Sequence, residues 1–174
     1  MKKQAEKSPI PKNKLIKKVL FNEIQKNIPI STVDLFVVRK AQSNLEILLI
    51  NRKIYPESGK WCLIGGRVLI KETLLGAIQR QAKKELGVKV SIIKPWNELN
   101  PILVFGDSTS DKQKHFIAHI YPVKIISGLV KKSGPEFSDS KWFNVSKLPK
   151  NIGFSQKKQI EIIRKNKKTI LSNL

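Results

Sequence analysis

The sequence contains very little cysteine, histidine or acidic side chain. Cys62 is its only cysteine, which excludes an internal disulfide framework and any zinc site built from a cysteine cluster. His115 and His119 are its only histidines, which leaves little for a histidine-rich metal site. No apolar run approaches the roughly 20 residues of a membrane-spanning helix, and the first residues lack the apolar stretch of a secretory signal. We therefore predict a soluble, cytoplasmic protein without a membrane span.

The shortage of acidic residues leaves a strongly basic chain, with 34 Lys and Arg against 13 Asp and Glu among 174 residues. Much of the excess positive charge lies in the two end segments of the sequence. Residues 1–27 hold eight lysines against two glutamates, and residues 141–174 hold nine Lys or Arg against one. Such ends can bind a polyanion such as RNA, because each neutralised phosphate releases counterions. A solvated lysine-rich surface is an equally weighted alternative.

The spacing of apolar residues alternates along the chain between a helical pattern and a strand pattern. Residues 14–26 predict an amphipathic helix ending near Asn27, and the pattern from Glu72 to Leu86 predicts a second helix stopped by Gly87. A third helix is predicted over 156–171, capped by Ser155. Extended segments are predicted at STVDLFVVRK, EILLINRK, 61–64, 67–70, VKVSII, PILVFG, HFIAHIYPVKI and KWFNV. This order predicts an α+β fold with a mixed sheet.

Residues 65–88, GGRVLIKETLLGAIQRQAKKELGV, carry the most specific pattern in the chain. The pattern resembles the box of the Nudix hydrolases, G-x5-E-x7-R-E-U-x-E-E-x-G-U, where U is aliphatic. The matching positions are Gly66, Glu72, Arg80, Glu85, Gly87 and Val88. Gln81 and Lys84 depart from it, because both stand where the box has glutamate.

The spacing of the box also has a physical reading. Glu72 at the start of the helix suits the positive end of the helix dipole, and an ion pair with Arg80 would tie the loop to the helix. The Gly65-Gly66 pair predicts a tight turn that leaves a carbonyl exposed for a hard cation. Glu85 is the one remaining carboxylate of the metal-binding helix. We therefore expect at most a weak or single Mg²⁺, unless substrate phosphates complete its shell.

The retained letters resemble one branch, the GDP-mannose mannosyl hydrolases, whose box is GGRVxxxETLxxAxxRxxxxELG. Every fixed letter of that pattern is matched, and the likeness extends from about Phe21 to Trp142 through IPISTVDLFVV, LLINRKIYPESGKW and HFIAHIYPV. It implies a Nudix-like α/β/α sandwich with a mixed β-sheet and additional N-terminal and C-terminal helices. The predicted parts are a basic segment and helix (1–27), a Nudix-like domain (28–150) and a basic C-terminal helix (151–174).

The resemblance implies hydrolysis of a nucleoside diphosphate sugar by attack at the anomeric carbon, which releases the sugar and leaves the nucleoside diphosphate whole. Mg²⁺ is the implied cofactor, with Mn²⁺ as the alternative, and a homodimer is the implied assembly. The implied metal ligands are the Gly65 carbonyl, Glu85 and Glu136. The implied catalytic residues are Asp34, Arg52, Arg67 and Arg80, and the implied substrate-binding residues are Arg52, Arg67 and Trp61. For Trp61, packing against a helix is the favoured alternative.

Phe137 stands where this branch has a histidine general base. Phenylalanine cannot accept a proton, which predicts a slow enzyme, a replacement base such as Asp139 or His115, or no hydrolysis. The alternative function is a catalytically weak or inactive Nudix-fold protein that binds RNA or a ribonucleoprotein such as the ribosome. Its binding residues would be Lys157, Lys158, Arg164, Lys165 and Lys168. An ordinary nucleoside-triphosphate pyrophosphohydrolase is disfavoured by the missing box carboxylates.

Overall fold

The computed structural model describes residues 17–108, 111–154 and 156–174. Most of the predicted N-terminal segment and the predicted cap at Ser155 lie outside these residues. The first half of the chain contains α1 (Lys18–Asn27), β1 (Ile30–Ala41), β2 (Asn44–Arg52), β3 (Trp61–Cys62), β4 (Ile64–Arg67) and α2 (Leu74–Gln81). The second half contains β5 (Lys89–Ile92), β6 (Ile102–Ser108), β7 (Asp111–Ser127), β8 (Phe137–Asn144), α3 (Gln156–Lys165) and α4 (Lys167–Leu171).

Strand β1 lies at the centre of a mixed sheet and changes partner along its length. It pairs in parallel with β7, and on its other side its first half pairs antiparallel with β4 and its last residues with β2. Strands β5 and β6 both pair with β7, and β8 pairs with β2. The sheet is therefore split between β2 and β4, and this split places Asp34 directly opposite Gly65.

Helices cover both faces of this sheet. Val33 and Leu35 of β1 face the core that contains Ile78 of α2, whereas Phe36 faces the core that contains Ile160 of α3. Side chains alternate between the faces because successive residues of a strand point in opposite directions. The arrangement confirms the predicted α+β fold and its α/β/α sandwich. Within the described residues, no helix is long and apolar enough to cross a membrane.

The two predicted long helices are each interrupted. The helix predicted to reach Leu86 is α-helical only to Gln81 and then widens into a π-helical turn, Ala82–Leu86, which Gly87 ends with φ 77°. The helix predicted over 156–171 breaks at Asn166, whose side chain donates to the Ile162 carbonyl (2.8 Å) and competes with the helical hydrogen bonds.

The prediction of a tight turn at Gly65-Gly66 is wrong, because both glycines lie in β4. A Cβ on Gly65 would lie 2.2 Å from Asp34 Oδ1, and a Cβ on Gly66 would lie 2.0 Å from the end of the Gln81 amide. Glycine is therefore required by the close approach of two neighbouring side chains, one on each face of the sheet. The extended segment predicted over 67–70 also ends early, at Arg67, because the following residues turn into the start of α2.

Candidate active site

Glu85 lies on the π-helical turn, which packs against β4 and β5. Its side chain is buried, and burial raises its pKa to about 7. The Glu136 and Asp34 carboxylates also raise this pKa, whereas the Lys84 and Arg52 cations lower it. Charged groups from separate parts of the chain therefore act on one another at one site. Wide helical turns of this kind are frequent at functional sites.

Gln81 links Glu85 to the rest of the box. In the amide orientation that satisfies both neighbours, its nitrogen donates to Glu85 Oε1 (3.2 Å) and its oxygen accepts from Arg80 Nη1 (3.2 Å). The side chain is 5% exposed and lies against Gly66. A neutral amide here holds Glu85 in place without adding a second negative charge.

The predicted ion pair between Glu72 and Arg80 is confirmed. Arg80 Nε donates to Glu72 Oε1 (2.6 Å), and Arg80 Nη2 donates to Glu72 Oε2 (2.8 Å) and to the Arg67 carbonyl (2.8 Å). Burial alone would raise the pKa of Glu72, but the hydrogen bonds from Arg80 and from the Leu69 N–H hold it below its usual value. The pair joins the end of β4 to α2, while the predicted catalytic role of Arg80 remains a prediction.

Asp34 lies on β1 with its carboxylate against Gly65. Burial raises its pKa to about 7. The charge of Asp34 acts on Glu85, although Glu85 comes from the α2 side of the sheet. The structure therefore places these two predicted residues near enough to interact electrostatically.

Arg52 is held at the end of β2 by a loop and by the segment that leads into α3. Its Nε donates to the Pro56 carbonyl (3.1 Å), and its guanidinium carbon lies 5.3 Å from the centroid of the Phe154 ring. Phe154 adopts φ 51°, a conformation that bulky side chains rarely adopt. Backbone strain of this kind accumulates at functional sites. Sequence reasoning missed Phe154, since no local pattern marks an aromatic residue for this conformation.

The other two predicted substrate-binding residues make aromatic contacts. The Arg67 guanidinium lies 3.7 Å from the centroid of the Phe21 ring of α1, and burial, followed by the charge of Arg80, lowers the pKa of Arg67. Trp61 packs edge-on against Phe143, with centroids 4.9 Å apart, in the core on the α3 side. Their contacts with substrate remain predictions.

Phe137 and the two suggested replacement bases lie in different surroundings. Phe137 is 1% exposed and packs in the core beside α2, so its ring contributes packing. Asp139 is ion-paired with Lys141 (3.2 Å), and His115 is exposed on β7. A role of Asp139 or His115 as the general base therefore remains a prediction.

The donors available for a metal ion are few. Among the residues that the structure describes, no group of three histidine, cysteine, aspartate or glutamate side chains could hold one. The predicted ligand Glu136 lies near enough to raise the pKa of the other, Glu85, but it is also bound by Lys84 Nζ at 2.7 Å. Two carboxylates and a backbone carbonyl would suit at most one divalent ion with further oxygen ligands from elsewhere, and the Gly65 carbonyl as a ligand remains a prediction.

Comparisons with known proteins agree with this fold. A family model described as the NUDIX domain matches residues 29–163. The chain is 32% identical over 116 residues to the ADP-ribose pyrophosphatase of Methanocaldococcus jannaschii, which covers 67% of this chain and 64% of that protein. It is 31% identical over 99 residues to the low-salt glycan biosynthesis protein Agl8 of Haloferax volcanii, which covers 57% of this chain and 61% of that protein. The matches thus span less than two thirds of either relative.

Among solved structures, the chain resembles the MutT NUDIX hydrolase from Burkholderia pseudomallei. The two share 25% sequence identity and superpose with a TM-score of 0.63. The superposition covers 77% of this chain and 97% of the other.

Proposed function

Since the chain belongs to the NUDIX domain family, we propose that it hydrolyses a nucleoside diphosphate derivative. We further propose that the substrate is a nucleotide sugar resembling GDP-mannose. Water attacks the anomeric carbon, the bond from that carbon to the diphosphate oxygen breaks, and the products are the free sugar and the nucleoside diphosphate. The names of the two relatives, one for ADP-ribose and one for glycan biosynthesis, support a substrate that contains a sugar.

The observation that carries this proposal is the small number of carboxylates in the box. Glu85 is the one carboxylate that the segment from Gln81 to Glu85 supplies, and Gln81 and Lys84 take the places of two others. Attack on phosphorus with several metal ions needs more carboxylates than this segment provides. A leaving diphosphate needs positive charge and hydrogen-bond donors, which Arg52, Lys84 and Arg67 can supply.

The residues of the site then have distinct tasks. Arg52, held by Pro56 and Phe154, and Arg67 would bind the diphosphate. Asp34 would lie at the sugar. Glu85, Glu136 and the Gly65 carbonyl would hold Mg²⁺ or Mn²⁺, which when bound neutralises charge that develops on the leaving diphosphate.

A substrate panel tests the proposal directly. The purified chain is incubated with Mg²⁺ and, separately, with GDP-mannose, ADP-glucose, ADP-ribose and GTP, and the products are identified by NMR. We expect a free sugar and a nucleoside diphosphate from at least one nucleotide sugar. A nucleoside monophosphate with a sugar phosphate would instead indicate cleavage between the phosphates.

A second candidate function, binding of RNA, is favoured by the surface of α3 and α4. Ile160, Ile163 and Ile170 are fully buried against the sheet, so the apolar side of these helices is unavailable to a membrane. The outward side carries exposed Lys157, Lys158, Arg164, Lys165 and Lys168. Glu161 is the one acidic residue in the described C-terminal helices, and it pairs with Arg164 (2.5 Å). We name these five cations the basic stripe.

Replacing the five residues of the basic stripe by glutamine is expected to weaken RNA binding by at least about tenfold at low salt, because charge is removed while helix propensity is nearly kept. The slope of log K against log salt should fall by about 0.7 for each phosphate that the variant no longer neutralises. Fluorescence anisotropy with a labelled single-stranded RNA measures both.

The matched control removes five exposed lysines elsewhere. Its substitutions to glutamine are at Lys53, Lys71, Lys89, Lys94 and Lys132. If both variants lose affinity equally, net charge alone explains the binding, and the stripe is an ordinary solvated surface.

A further inference from the structure

Lys84 occupies an unusual place in the candidate active site. It lies on the π-helical turn next to Glu85, and its ammonium contacts Glu136, 52 residues further along the chain and immediately before β8. The distance from Lys84 Nζ to Glu136 Oε1 is 2.7 Å. The lysine side chain is 56% exposed and the glutamate side chain 33% exposed, so solvent and ions reach the pair. The contact therefore joins the turn that carries Glu85 to the segment that carries Glu136.

The ammonium acts on both carboxylates that would hold a metal ion. It binds Glu136 directly, and its charge favours the ionised form of Glu85. A divalent cation at this site would do the same two things. Both cations cannot occupy the same side of the Glu136 carboxylate, since like charges repel over these distances.

We propose that the Lys84 ammonium is a built-in counterion that competes with divalent cations for Glu136 and thereby weakens metal binding at this site. The inference rests on the part of the proposed function that assigns Glu85 and Glu136 as ligands. It assigns a role to the lysine that stands beside Glu85, at a position where a carboxylate would instead strengthen metal binding. It also implies that the Lys84 ammonium, and not only a bound metal ion, supplies positive charge to a bound diphosphate.

Direct titration of Mn²⁺, followed by electron paramagnetic resonance in the absence of substrate, tests the competition. Lys84→Ala is expected to bind Mn²⁺ about tenfold more tightly than the parent at low ionic strength, because one positive charge beside the ion is gone. Lys84→Gln should behave in the same way. Equal affinity of the parent and both variants, or no measurable binding by any of them, would overturn the proposal.

Two controls make the assignment specific. Lys83→Ala removes the same charge from the neighbouring exposed position, which makes no contact with Glu136 among the described ion pairs, and it should change the affinity by about twofold or less. Adding Glu136→Gln to Lys84→Ala should abolish the gain. A gain from Lys83→Ala as large as that from Lys84→Ala, or a gain that survives Glu136→Gln, would contradict the proposal.

The result of the Mn²⁺ titration can be distinguished from the result of the substrate panel. Mn²⁺ affinity is read without turnover, so a chain that hydrolyses none of the nucleotides can still show the tenfold gain. Conversely, sugar release with unchanged Mn²⁺ affinity in Lys84→Ala would leave the proposed function standing and remove the counterion.

Discussion

Replacing Glu85 by glutamine is expected to lower kcat/KM for sugar release by at least about 100-fold, the scale on which removal of one electrostatic group from an active site acts. The substitution is nearly isosteric, and Gln81 can still contact the new amide. Steady-state assays with the nucleotide sugar identified in the panel give the value. Glu161→Gln, on the exposed side of α3, is the matched control and should retain parental activity.

The same substitution should not destabilise the fold. Burial raises the pKa of Glu85 to about 7 from an ordinary 4.5, so the folded chain binds a proton more tightly than the unfolded chain. The folded state therefore loses stability as pH rises from 4.5 to about 7, and Glu85→Gln removes this loss. Without metal, urea unfolding should show the variant more stable than the parent at pH 8 and similar to it at pH 4. Parental activity in this variant would contradict the proposed role of Glu85.

Replacing Gly65 by alanine is expected to lower the free energy of unfolding by about 3 kcal/mol, the upper part of the usual range for overpacking. The new Cβ would lie 2.2 Å from Asp34 Oδ1 and 2.4 Å from the Val33 carbonyl oxygen. The Asp34 side chain can rotate away, but the Val33 carbonyl belongs to the backbone of the central strand. Urea denaturation with linear extrapolation measures the loss.

Gly76→Ala is the matched control for this substitution. Its Cβ would meet only side-chain atoms, Glu72 Cγ and Thr73 Oγ1, each at 3.3 Å. Alanine also favours a helix over glycine, so the net change should stay within about 1 kcal/mol. Equal stability of Gly65→Ala and the parent would mean that β1 and β4 do not approach as closely as described.

Local patterns in the sequence were enough to predict the kinds of elements and their order. The apolar period of α2 and the β-branched segment that became β1 are signals within one element. The pair of Glu72 and Arg80 was also predictable, because it joins a loop to the helix that follows it. The parallel pairing of β1 with β7 was not, since it joins residues 86 apart, such as Ile30 and Phe116, and depends on how the whole sheet assembles.

The chemistry of the site was predicted less completely for the same reason. The requirement for glycine at position 65 was misread as a turn, because it comes from the Asp34 carboxylate and the Val33 carbonyl of a neighbouring strand. The contact between Lys84 and Glu136 and the position of Phe154 beside Arg52 likewise depend on tertiary packing. The box motif predicted Glu85, but Glu136, Arg52 and Asp34, which alter its pKa, come from elsewhere in the chain.

Identifying which bond is broken tests the central claim most directly. Hydrolysis is carried out in water enriched in oxygen-18 with the nucleotide sugar that the panel identifies, and the products are analysed by mass spectrometry. Attack at the anomeric carbon places the label in the free sugar and none in the nucleoside diphosphate, which is the result we predict. Label in a phosphate group of any product would show attack on phosphorus and would contradict the account.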